Sequence, residues 1–170
     1  KESVDLLVEK DFNTALNKAQ HIDEYNEQRK DIDKQMTEEA NQIVSRIESQ
    51  SHHASIVLYD EHWKKGVIGI VASRLTEIYF RPCVVLTRDG DLATGSARSV
   101  MGFDIYSAIK SCRDLLLNFG GHTYAAGLTL RWADVPEFRR RFQHYVEEHI
   151  QPEQTEANLR IDAEIDFKDI

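Results

Sequence analysis

Cysteine and proline are scarce in this 170-residue chain, at two and three residues, and the first fifty positions hold neither proline nor glycine. Two cysteines cannot build a disulfide framework, so the fold must rest on a packed core, and they fit a reduced, intracellular and cytoplasmic setting. No apolar run is long enough to cross a bilayer, and no secretory signal is visible from Lys1 onward. The chain lacks a Walker loop, a nucleophile elbow and zinc-ligand spacing, and it has no carboxylate/histidine cluster suited to a catalytic divalent cation. Basic residues are in deficit, with 21 Lys and Arg against 29 Asp and Glu and a net charge of -8, which taken whole argues against a general polyanion binder. Sorted by region, the deficit lies in the flanks: residues 1–50 carry -5, residues 51–150 carry +1 and residues 151–170 carry -4. What is present is a 41% hydrophobic fraction, ample for a real core.

The opening segment repeats apolar residues three and four apart, from Leu6 through Leu16, Ile22, Ile32, Met36, Ala40 and Val44 to Ile47. That spacing predicts a short helix and then a long one over 12–48, about 55 Å in length and N-capped by Asp11. A small domain rarely buries such a rod, so it reads as a connector or one arm of a coiled coil. The pattern changes after Ser51. A strand is expected at 54–59, an apolar helix at 67–80 ended by Pro82, and a hairpin over 83–97 turning at Asp89-Gly90-Asp91. A helix over 104–118, a strand at 126–131 and a helix over 135–150 complete the order β-α-β-β-α-β-α. This is an α/β sandwich with a mixed sheet, preceded by the connector helix. Beyond a polar linker, Leu159, Ile161, Ala163, Ile165 and Phe167 alternate with polar residues as in an amphipathic strand.

Three segments carry chemistry. In FGGHTYAAG (119–127), Gly120 and Gly121 let the backbone approach a ligand, and His122 can donate to a phosphate or move a proton near neutral pH. The alternative is a glycine helix C-cap with an incidental histidine. In TGSARS (94–99), the Ser96 hydroxyl and the Arg98 fork suit a phosphate, although a Ser-Arg pair is also common structural material at a strand end. In WKKGVIGIVASRL (63–75), Lys64 and Lys65 flank a helix N-terminus suited to an anion, while Gly69 and Ala72 permit close packing on a sheet. His52-His53 reads as linker, Cys83 and Cys112 as core or surface residues, and Arg139-Arg140-Arg141 as a solvated helix face.

The ordered set GVIGIVASRL, GSARS with GFDIYSAI, and FGGHTYAAGLTL closely resembles the DHHA1 domain of the RecJ family, bacterial single-strand-specific 5′→3′ DNA exonucleases. The resemblance implies three regions. Residues 1–50 correspond to a connector from a DHH domain outside this chain, 54–150 to the DHHA1 domain, and 151–170 to a linker and first strand of an OB-fold domain. In that family a DHH domain hydrolyses phosphodiesters with two Mn²⁺ or Mg²⁺ ions, so this chain by itself is expected to be inactive and to supply no metal ligand. Ser96 and Arg98 fall where the family binds the 5′-terminal phosphate. Gly120, Gly121 and His122 fall at the catalytic cleft, with His122 assisting at the scissile or a neighbouring phosphate, and Arg29 on the connector is a further phosphate contact. Lys64 stands where many members have histidine. The implied partners are single-stranded DNA with a 5′-phosphate and the two other domains, with no membrane; exposed apolar helix surface also allows a dimer. The alternatives are a DHH/DHHA1 phosphodiesterase for short oligonucleotides or cyclic dinucleotides, and a non-catalytic interaction module.

Overall fold

The computed structural model describes residues 2–49 and 53–157, with two isolated positions at 163 and 168. A short helix α1 (Glu2–Leu7) precedes α2 (Phe12–Glu48), whose N-terminus is capped where the Asp11 carboxylate accepts the Thr14 N–H. Then follow β1 (Ile56–Asp60), α3 (Ile68–Tyr79), β2 (Cys83–Asp89), β3 (Leu92–Arg98) and α4 (Ile105–Lys110). A 3₁₀ turn (Arg113–Leu115) leads into β4 (Leu116–His122), β5 (Ala125–Arg131), a second 3₁₀ turn (Trp132–Asp134) and α5 (Val135–His149). The strands form one sheet in the order β1-β2-β3-β5-β4, with β1 and β2 parallel and the other pairs antiparallel.

The mixed α/β sandwich behind a long helix is therefore observed, with one strand more than the sequence pattern suggests. The helix expected over 104–118 stops at Lys110, and Leu116–His122 is extended and paired to β5. The Gly-Gly-His segment is thus the end of an edge strand, not a loop behind a helix, and the helix C-cap alternative is removed with it. The amphipathic pattern at 159–167 and His52 lie outside the described residues, Ala163 excepted.

Strand β2 is buried on both faces, as its run of apolar residues requires. Val84 and Leu86 of β2 point to one side, where α4 and α5 cover them with Ile105, Ile109, Phe138 and Phe142. Cys83 and Val85 point to the other, against Val71, Ala72 and Leu75 of α3 and Met36, Ala40 and Val44 of α2. Only the C-terminal half of α2 takes part. Four polar contacts hold it there: Asp33 with Arg74 at 2.6 Å, Glu39 with the Trp63 indole N–H at 3.1 Å, Asn41 with the Tyr79 hydroxyl at 3.2 Å, and Glu48 with Arg81 at 2.6 Å. Its N-terminal half and α1 leave Val4, Leu7, Val8, Phe12 and Tyr25 in solvent.

The two cysteines are unpaired and buried. Burial pushes the Cys83 thiol up from 9.0 to about 12. Because the folded value lies above the unfolded one, its contribution to stability is complete below about pH 9 and is lost as pH rises toward 12. Iodoacetamide at pH 8 is therefore expected to spare Cys83 unless the chain unfolds. Leu75→Ala, at a fully buried position, is expected to cost about 2–5 kcal/mol in chemical denaturation. Leu16→Ala on the exposed part of α2 is expected to cost less than about 0.5 kcal/mol.

Candidate phosphate-binding site

The antiparallel register aligns three cross-strand rows on the sheet face shared with α3. They are Thr94–Thr129–Asn118, Ser96–Gly127–Gly120 and Arg98–Ala125–His122. Helix α3 packs on β2 and β3 but not on β4 and β5, so the rows form an open floor beside the helix. One end is an open depression of about 390 Å³ lined by Lys65, Thr94, Asn118, Gly120, Gly127 and Thr129. Arg98 and His122 stand at the other end, two inter-strand steps apart, or roughly 10 Å between Cα atoms.

Arg98 is half-buried. Its Nε donates to the Ser73 hydroxyl at 3.1 Å, and its Nη1 donates to the Ser96 hydroxyl at 3.0 Å and the Ala97 carbonyl at 2.8 Å. Among the described residues it has no carboxylate partner, and both donors of Nη2 are unclaimed. An unneutralised guanidinium with two spare donors is suited to an anion with paired oxygens. Gly69 makes the geometry possible: a Cβ there would stand 3.2 Å from Arg98 Nη2 and 3.1 Å from Ser96 Oγ.

His122 is exposed at the end of β4, and its Nδ1 accepts the Tyr124 N–H at 3.3 Å. That bond leaves the proton of the neutral ring on Nε2, as a donor. The turn after it is pinned from outside, since Ser99 N–H donates to the Tyr124 carbonyl and Ile105 N–H to the Thr123 carbonyl. These bonds keep His122 level with Arg98.

The two adjacent glycines differ in kind. Gly121 has φ +149°, and a Cβ there would meet the Ala125 carbonyl oxygen at 2.3 Å. Gly120 faces open space, and a Cβ on its cross-strand neighbour Gly127 would meet only the Gly95 oxygen, at 3.9 Å. Packing within the protein therefore explains Gly121 but leaves Gly120 and Gly127 as bare floor.

The other candidates are not drawn in. Arg29 is exposed on α2 one turn before Asp33, with no hydrogen bond or ion pair among the described residues. Lys65 pairs loosely with Asp89 at 3.4 Å, and Lys64 is exposed. In the arginine cluster, Arg140 pairs with Glu137 and Arg141 grips Asp114 with two bonds, which hold both carboxyls below their usual range. Among the described residues no three His, Cys, Asp or Glu side chains gather where they would hold a metal ion, and none of the helices is long and apolar enough to cross a membrane. Sequence reasoning missed Ser73 as a site residue; its signal is the i, i+4 placement with Gly69 on a face of small residues.

Residues 49–148 match the DHHA1 domain family. The single-stranded-DNA-specific exonuclease RecJ of Bacillus subtilis is 36% identical over 99% of this chain and 21% of its own length. The corresponding protein of Dickeya dadantii is 34% identical over 95% of this chain and 29% of its own length. The chain thus spans less than a third of these relatives. Among solved structures, RecJ of Thermus thermophilus in complex with Mg²⁺ superimposes with a TM-score of 0.78 at 29% identity, covering 89% of this chain and 23% of that one. A second, exonuclease RecJ bound to manganese, gives 0.76 at 28% identity, covering 92% and 38%.

Gly121→Ala is expected to destabilise the fold by at least about 2 kcal/mol through backbone strain and the clash with Ala125. Gly120→Ala is expected to shift stability by less than about 1 kcal/mol, and thermal unfolding of the two variants separates them. The family match and the superposition on the RecJ structures agree, and the chain belongs to the DHHA1 domain family.

Proposed function

We propose that this chain is the substrate-holding part of a 5′→3′ single-stranded-DNA exonuclease. In this reading Arg98 and Ser96 receive the 5′-terminal phosphate, with Arg98 Nη2 donating to its oxygens. The observation that carries it is the half-buried guanidinium of Arg98, fixed by two hydroxyls and a carbonyl and left without a carboxylate among the described residues. The strand continues over the bare floor at Gly120 and Gly127, where the glycines admit the sugar-phosphate backbone closely. His122 contacts the scissile or a neighbouring phosphate as an Nε2 donor, assisting the reaction. Arg29 contributes a more distant phosphate contact from α2. Contacts of this kind read the backbone and not the bases, so binding has little sequence preference and weakens with salt.

Bond cleavage belongs, in the same reading, to a DHH domain of the larger protein. The divalent ions named with the solved RecJ structures support Mn²⁺ or Mg²⁺ in the intact enzyme. No described cluster in this chain fits such an ion, so the chain alone is expected to be catalytically silent. An OB-fold domain of the same protein would take up the strand farther along. The length of the relatives supports this division.

The test is fluorescence anisotropy with labelled oligothymidylates bearing either a 5′-phosphate or a 5′-hydroxyl, at low salt. The phosphorylated strand is expected to bind this chain about tenfold more tightly, the size of a charge-assisted hydrogen bond, and Arg98→Ala is expected to remove the difference. Equal affinities in the unaltered chain would overturn the assignment. Tighter binding of dinucleotides than of longer strands would favour a phosphodiesterase for short substrates.

A further inference from the structure

We propose that Ser73 is a positioning residue for Arg98, holding the guanidinium so that Nη2 is presented to an incoming phosphate. The proposal deepens, and rests on, the reading of Arg98 as the phosphate-binding arginine. Ser73 belongs to α3 and is 25 residues away in sequence, yet its hydroxyl occupies the middle of a short relay. It donates to the Gly69 carbonyl at 3.1 Å and accepts from Arg98 Nε at 3.1 Å.

The direction of that relay is fixed. A hydroxyl has one proton, and here it goes to a carbonyl that can only accept, which leaves the oxygen lone pairs for the Nε–H. With Nη1 donating to Ser96 and Ala97, three of the five guanidinium donors are claimed inside the protein. The two on Nη2 are the remainder, so the bonds that satisfy Nε and Nη1 also set the plane in which Nη2 lies. The same helix face supports the arrangement above and below. Gly69, one turn earlier, leaves the space that Nη2 needs. Thr76, on the next turn, bonds to the Ala72 carbonyl at 3.0 Å and reaches the Arg98 carbonyl at 3.5 Å, steadying the backbone that bears the side chain.

Without the Ser73 oxygen, Nε would lose its acceptor in a half-buried place, and the long side chain would regain rotamer freedom that a phosphate must then remove. The effect should fall on phosphate recognition alone, because Ser73 is only partly buried and its loss opens no large cavity.

Two measurements on Ser73→Ala test this. The first is the ¹H–¹⁵N resonance of Arg98 Nε–H, assigned by its disappearance in Arg98→Ala. It is expected to move toward the position of a free arginine, and an unmoved resonance overturns the proposal. The second is affinity for 5′-phosphorylated and 5′-hydroxyl oligothymidylates. Ser73→Ala is expected to weaken the phosphorylated strand by about three- to tenfold, with the hydroxyl strand and Tm unchanged, and to have no further effect in an Arg98→Ala background. Equal weakening of both strands, unchanged binding of the phosphorylated strand, or the same loss when Arg98 is already alanine would overturn it. If Arg98→Ala itself leaves the phosphate preference intact, the reading of Arg98 fails, and the Nε–H resonance still decides whether Ser73 holds the guanidinium.

Discussion

The guanidinium of Arg98 is held by hydroxyls and a carbonyl instead of a carboxylate, and the layout of the site depends on that substitution. An arginine paired with Asp or Glu would be neutralised and closed to a second anion. Here the Ser73 and Ser96 oxygens and the Ala97 carbonyl orient the fork without cancelling its charge. The arrangement requires α3 to lie very close to β3, and the helix face that meets the strand is accordingly built from Gly69, Ala72, Ser73 and Thr76. Larger side chains there would lift the helix and break the relay.

The same closeness explains how the rest of the molecule is organised. Helix α3 is pressed from behind by the C-terminal half of α2 through Met36, Ala40 and Val44, with Asp33 gripping Arg74 next to Ser73. The long helix and the proposed phosphate site are therefore two sides of one packed layer. On the open side, the register of β3, β5 and β4 sets Ser96 beside two glycines and Arg98 level with His122. A net charge of -8 is compatible with this, because residues 51–150, which hold most of the proposed recognition groups, sum to +1.

Elements stabilised by local interactions are legible in the sequence. The span of α2, its Asp11 cap and the turn at Gly90, where φ is +63°, all follow from spacing and residue type. Strand β4 is not legible, because Leu115-Leu116-Leu117 suits a helix as well as a strand. Its pairing with β5 and the backbone needs of Gly121 decide in favour of the strand. The motif residues Ser96, Arg98, Gly120, Gly121 and His122 can be picked out by type, yet their placement on one face depends on strand order. Ser73 is hidden for a further reason, since its role exists only once α3 has packed across Arg98.

The central claim is that Arg98 offers a preformed, unneutralised fork to a terminal phosphate. A crystal structure of the chain with a short 5′-phosphorylated oligothymidylate tests it most directly. The account predicts the phosphate within hydrogen-bond distance of Arg98 Nη2, with the Ser73 and Ser96 bonds to Arg98 unchanged and the backbone passing over Gly120 and Gly127. A phosphate bound elsewhere, such as at the arginines of α5, with Arg98 Nη2 left untouched, would contradict it.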